Sequence, residues 1–124
     1  MKKYILAVFT GFILSVLTFT GCAGGTENSY TQISINEAIE MMETEDNYII
    51  LDVRTKEEYA ERRIEGSVNL PLQEIEKISS LIPDKNTPIF LHCRSGKRSS
   101  RAAKILVSMG YTRAVNIGGI KDYR

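Results

Sequence analysis

The chain has 124 residues, 43% of them hydrophobic and a quarter charged, and reads as one small globular domain with an appendage. A formal net charge of +1, and basic residues that are not interleaved with aromatics, argue against a nucleic-acid binder. With one histidine and two cysteines, and no ligand spacing among them and the carboxylates, no metal site and no cofactor are expected.

The appendage is the N-terminus. Lys2 and Lys3 precede an uncharged apolar stretch from Tyr4 to Phe19, followed by Thr20, Gly21 and Cys22. A charged start, an apolar middle and small residues at the end are the pattern of a secretory signal, here residues 1–21, and the stretch is short for a membrane-spanning helix. The segment resembles the lipobox of bacterial lipoproteins, with Phe19 at the place usually held by an aliphatic residue. The resemblance implies that Cys22 is lipidated, and that the protein is exported and anchored to the outer face of a bacterial membrane. A cleaved secreted or periplasmic form and an uncleaved anchor are the alternatives. Residues 22–30 are Gly-rich and polar and suit a flexible tether. If Cys22 carries lipid, Cys93 has no partner within the chain, and an exported protein that keeps an unpaired thiol has a use for it.

The domain is expected over residues 31–124. Ser34-Ile35-Asn36-Glu37 reads as a capping box, so a helix runs from there to about Glu45, with Met41 and Met42 as core filler. Tyr48 to Val53 is nearly continuous in apolar residues, the mark of a strand covered on both faces. Thr55-Lys56-Glu57-Glu58 is a second capping box and opens a helix ending near Gly66. Ser67 to Leu70 reads as a short strand stopped by Pro71, and Leu72 to Leu81 has helical spacing. Pro88 to His92 is the next strand, Ser99 to Met109 the next helix with Gly110 just past its end, and Ala114 to Ile117 a last strand. Strands alternating with helices at this interval predict an α/β fold, a small parallel sheet with helices on both faces. Ligands in such sheets sit beyond the carboxyl ends of the strands.

Cys93 stands at such an end. Arg94, Ser95, Gly96, Lys97 and Arg98 separate it from the helix predicted to open at Ser99, and a helix N-terminus stabilises a thiolate over a thiol. The loop can curl so that successive N–H groups face a negative sulfur or an anionic ligand, and Gly96 gives it the freedom to do so. Arg94, Lys97 and Arg98 are available to bind oxyanions. Without Lys2 and Lys3 the balance is 14 basic against 15 acidic residues. The distribution is uneven: Lys85 to Lys121 holds eight basic residues and no acidic one, so the half containing Cys93 draws small anions.

Four segments in order resemble the signature of single-domain rhodaneses: Leu51-Asp52-Val53-Arg54 with Glu57-Glu58-Tyr59; Ile64-Glu65-Gly66-Ser67-Val68-Asn69-Leu70-Pro71; Leu91-His92-Cys93-Arg94-Ser95-Gly96-Lys97-Arg98-Ser99; and Gly118-Gly119-Ile120. The resemblance covers residues 33–124. It implies a rhodanese-like fold and a sulfurtransferase in which the Cys93 thiolate takes the outer sulfur of a small anionic donor such as thiosulfate. A persulfide then passes the sulfur to cyanide or a thiol. It also implies that the loop from Arg94 to Ser99 binds substrate, that Asp52 and Arg54 lie near the active-site edge, and that Arg54 pairs with an acid such as Glu58. Asp52 and Arg54 are read first as structural, ordering a loop. His92 falls on the face of its strand opposite Cys93 and is read as a packed residue, not a general base. The protein is expected to act as a monomer.

Three departures stand out. Tyr123 replaces the family's common tryptophan, Arg63 replaces a common histidine, and the sequence stops at Arg124 where rhodaneses commonly continue into a closing helix, so the domain is expected to be short there. Two other functions compete. Cysteine-based phosphatases also carry His-Cys before an oxyanion loop, but need arginine six positions after the cysteine, where this chain has Ser99. A non-catalytic sensor or docking module would use the thiol for reversible oxidation.

Overall fold

The structure, a computed structural model, describes residues 29–124; the signal segment, Cys22 and most of the tether lie outside the described residues. Its centre is β4 (Ile89–Cys93), all five of whose residues are buried. Around it lie β1 (Thr31–Gln32), β2 (Ile49–Asp52), β3 (Val68–Asn69) and β5 (Ala114–Gly119), in the order β1-β5-β4-β2-β3. Every pairing is parallel. A parallel sheet must be covered on both faces, and the two-residue alternation of β4 shows how. Ile89, Leu91 and Cys93 face a cluster with Ala102, Ala103 and Leu106 of α4 (Lys97–Ser108), whereas Phe90 faces Ile35 and Ala38 of α1 (Ile35–Met42). The fold is therefore α/β, as the alternation of elements in the sequence implies.

Local chemistry sets the helix starts. Ser34 and Thr55 both cap through their hydroxyls, with Glu37 and Glu58 reaching back to the cap N–H groups, at the heads of α1 and α2 (Lys56–Glu61). The region from Leu72 to Leu81 is not one helix. A 3-10 segment, Leu72–Lys77, runs into the single turn α3 (Ile78–Leu81), and Pro71 with Pro83 confine both. The second helix ends at Glu61, earlier than the Gly66 expected, because Arg62 is extended. The strand β1 had no apolar signal: two exposed residues pair with Val115 and Asn116 through backbone alone.

The turn that follows β2 is held by a buried ion pair. Asp52 is fully buried and Arg54 is 4% exposed. Arg54 Nε lies 3.0 Å from both Asp52 carboxylate oxygens, Nη2 donates to Oδ2 at 2.7 Å, and the Arg54 backbone N–H donates to Oδ1 at 2.9 Å. The guanidinium also reaches the carbonyl of Arg62, past the end of α2. Asn69 Nδ2 donates to the carbonyls of Asp52 at 3.0 Å and Arg54 at 2.9 Å, fastening the same turn to β3. Arg54 does not pair with Glu58, as the family resemblance implied. Asp52, two residues away and already desolvated, satisfies the guanidinium, which leaves Glu58 free for another partner.

Removing one partner of such a pair strands a buried charge. Arg54→Ala is expected to lower the unfolding free energy by about 3–5 kcal/mol, read from urea denaturation. A loss of under about 1 kcal/mol, the size of a surface pair, would show that this pair does not hold the turn.

Candidate active site

Cys93 is the last residue of β4, and the chain turns at once into α4. The helix begins at Lys97, two residues before the Ser99 expected, so the loop proper is only Arg94, Ser95 and Gly96. Gly96 is the N-cap residue, with φ +100°, and carries no side chain to cap the helix. The sulfur serves instead: Gly96 N donates to Cys93 Sγ at 3.0 Å, and the backbone N–H groups of Ser99 and Ser95 also favour its charged form. An anion at this place meets the unpaired N–H groups and the positive end of a twelve-residue helix.

Burial pushes the Cys93 thiol up, but the Ser99 hydroxyl and the N–H groups of Ser99, Gly96 and Ser95 together outweigh it, and the thiol lies below its ordinary value. The residue is 1% exposed, with its carbon side in the apolar cluster under α4 and its sulfur toward the amides. A reagent therefore meets the sulfur inside the loop and not on open surface.

Ser99 has one proton and three acceptors: Asn116 Oδ1 at 2.7 Å, the Gly96 carbonyl at 3.2 Å and Cys93 Sγ at 3.5 Å. Asn116 competes best by distance. The amides are thus the constant donors to the sulfur, and the hydroxyl is a shared one. Asn116, unremarked in the sequence, turns out to organise the loop. Besides accepting from Ser99, it donates to the Gly96 carbonyl at 3.3 Å and accepts from Gly118 N at 3.1 Å. A polar residue in an otherwise apolar strand end, ahead of two glycines, was the available signal.

Those glycines form the other wall. The register between β4 and β5 slips after Leu91, so that His92 faces Gly118 and Cys93 faces Gly119. A Cβ on Gly119 would lie 2.3 Å from the Arg94 carbonyl oxygen and 2.9 Å from Ser95 Cα; one on Gly96 would come within 3.3 Å of Gly118 Cα. The loop and the bulge fit only because both lack side chains.

The cations divide. Arg94 and Lys97 are exposed at the loop. Arg98, expected to bind oxyanions, is held by Glu58 of α2: Nη1 donates to Oε1 at 2.8 Å and Nη2 to Oε2 at 3.0 Å. Arg98 first, helped by Thr55, lowers the Glu58 carboxyl to about 2 despite partial burial, so the pair is complete above about pH 4.5 and opens only as pH falls toward 2. This clamp joins the N-termini of α2 and α4 beside the loop. Among the described residues Asp52 and Arg54 form no hydrogen bond with Cys93; they order the neighbouring turn. His92 is fully buried, neither ring nitrogen has a hydrogen-bond partner, and Nε2 is 3.7 Å from Asp52 Oδ2. Burial keeps it toward the neutral form, against the pull of Asp52. It follows Phe90 on the α1 face and cannot reach the sulfur. The position where a phosphatase carries its arginine is the buried Ser99, and the neighbouring Arg98 is already paired.

A buried thiol at the carboxyl edge of a parallel sheet, capped by the amides of its own loop, defines a class of α/β protein built to carry negative charge on a cysteine sulfur. The chain belongs to the rhodanese-like domain family, whose model matches residues 34–124. Thiosulfate sulfurtransferase PspE of Escherichia coli is 42% identical over 73 residues, covering 58% of this chain and 70% of that protein. Thiosulfate sulfurtransferase GlpE of Coxiella burnetii is 31% identical over 96 residues, covering 77% and 88%. Among solved structures, a rhodanese with anions from E. coli aligns with a TM-score of 0.58 at 41% identity over 60% of this chain and 89% of that one. The human single-domain sulfurtransferase TSTD1 aligns at 0.63 and 27% identity over 73% and 91%. These likenesses support a place among the sulfurtransferases.

Two expectations follow from the site. Gly119→Ala displaces the Arg94 carbonyl, and a shift of about 1 Å in a positioned group costs on the order of 100-fold in turnover; circular dichroism should show the fold retained while rate falls, and an unchanged rate would mean the loop is not packed against β5. Ser99→Ala removes one donor to the thiolate and none to the thiol, so the pH midpoint of Cys93 alkylation by iodoacetamide should move up. A midpoint that stays or moves down would show that the Ser99 hydroxyl does not contribute to the low value.

Proposed function

We propose that the protein is a sulfurtransferase working through a persulfide on Cys93, with thiosulfate or a donor like it as first substrate and cyanide or a thiol as acceptor. The observation that carries this reading is the Gly96 N–H aimed at Cys93 Sγ at 3.0 Å within the amide loop. In the first step the thiolate attacks the outer sulfur of the donor. The donor's sulfur–sulfur bond breaks, and sulfite leaves with the bonding pair. The product, Cys93–S–S⁻, carries its charge one atom further into the loop, where the same N–H groups that stabilise the thiolate are placed for the longer anion. In the second step the acceptor attacks that outer sulfur, giving thiocyanate or a new persulfide, and Cys93 leaves as the thiolate it began as. A low thiol pKa keeps Cys93 ionised for the first step and makes it a good leaving group in the second.

Arg94 and Lys97 serve in this reading as attracting charges for an anionic donor. Arg98 shapes the rim through Glu58. On the lipobox resemblance of Thr20-Gly21-Cys22, the domain works outside the cytoplasm, tethered by a lipidated Cys22 to a membrane, where donors arrive by diffusion.

Intact mass spectrometry of the full chain after incubation with thiosulfate tests the chemistry. The wild type should gain one sulfur atom and lose it on addition of cyanide; Cys93→Ser should gain none. Turnover retained in Cys93→Ser, or a wild type that takes up no sulfur, would overturn the proposal.

A further inference from the structure

The outer face of α4 carries Lys97, Arg101 and Lys104, all exposed, with Arg94 on the loop above them. The three helical positions fall within about 60° of one another around the axis and span about 10 Å, forming one ridge that starts at the active-site loop. Among the described residues none of these four forms an ion pair, while Arg54, Arg98 and Arg113 are matched by Asp52, Glu58 and Glu45.

The ridge runs against the needs of its own helix. Acidic residues belong in a first turn, and α1 and α2 have them in Glu37, Glu57 and Glu58; α4 has none and opens on Lys97 and Arg98. Lys97 and Arg101 are also like charges four residues apart, which weakens a helix. The apolar face of α4 is fully used in the core, so packing does not account for the choice of residues outside. Attraction of a small anion to the thiol needs Arg94 and Lys97, which flank the loop, but not Arg101 and Lys104 further along. A ligand that engages all four is extended, and it is negative.

We propose that this face of α4 docks an acidic protein or peptide that exchanges sulfur with Cys93, its own thiol arriving at the loop end of the ridge. The inference rests on the sulfurtransferase reading and names its macromolecular partner by charge. A membrane of anionic lipid is the competing ligand for such a ridge. Laying the ridge flat on a bilayer would press the loop against headgroups and close the route to the sulfur, which favours the protein partner.

The test uses the full chain in neutral detergent, with two cysteine peptides as acceptors, one rich in glutamate and one of glutamine in its place, and cyanide as the small acceptor. At low salt kcat/KM for the acidic peptide should exceed that for the neutral one at least tenfold, and the advantage should fade as salt is raised. Arg101→Glu with Lys104→Glu should abolish the advantage and leave cyanide turnover unchanged; Lys77→Glu with Lys85→Glu, an equal change elsewhere, should preserve it. Equal rates for the two peptides, or a preference that survives the α4 reversal, would overturn the docking face. So would cyanide turnover that falls in phosphatidylglycerol vesicles, relative to phosphatidylcholine, and recovers in the α4 variant. A wild type inactive with cyanide sinks the sulfurtransferase reading separately; in that case anisotropy of a labelled acidic peptide with serine for cysteine still decides, since salt-sensitive binding lost on α4 reversal upholds the surface and no binding refutes it.

Discussion

The hydrogen bond from Gly96 N to the Cys93 sulfur is the interaction on which the rest depends. It joins three features that have no other reason to coincide: a strand that ends in cysteine, a helix that starts without a side-chain cap, and a glycine at positive φ between them. A helix N-terminus left uncapped inside a protein is costly, because its first N–H groups have no partner. Here the cysteine sulfur is the cap. Folding and reactivity are therefore linked through one atom: whatever stabilises the helix start stabilises negative charge on sulfur.

Around that atom the chain excludes side chains where they would intrude and fixes those that remain. The bulge in β5 sets Gly118 and Gly119 against the loop, and Asn116 holds the Ser99 hydroxyl and the Gly96 carbonyl in place. Two ion pairs frame the opposite side. The buried pair of Asp52 and Arg54 orders the turn after β2, and the half-exposed pair of Glu58 and Arg98 ties that turn's helix to α4. Neither pair touches the sulfur. Both keep the walls of the loop from moving relative to each other, which a preorganised anion site requires.

Much of this was legible in the residues. The apolar runs Tyr48 to Val53 and Pro88 to His92 mark strands buried on both faces, and the two capping boxes fix the starts of α1 and α2, because these signals are local. What escaped was non-local or backbone-borne. The strand β1 has no apolar pattern, since its two residues are held by hydrogen bonds to β5 and expose their side chains. The sequence predicts the start of α4 at Ser99, but the cysteine sulfur serves as the cap and the helix begins at Lys97. The family resemblance pairs Arg54 with an acid such as Glu58, whereas the buried Asp52 two residues away takes the guanidinium. Asn116 leaves only a faint local trace, a polar residue ahead of two glycines, because its role comes from the bulge in β5 and its contact with Ser99.

The most direct test of the central claim is an NMR titration of the backbone amides of Ser95, Gly96 and Ser99 across the ionisation of Cys93. If these N–H groups hold the charged sulfur, their proton resonances move downfield together, with one midpoint below that of an ordinary thiol, and the shifts vanish in Cys93→Ser. Amide resonances that stay still while Cys93 ionises, or a midpoint at or above the ordinary thiol range, would contradict the account.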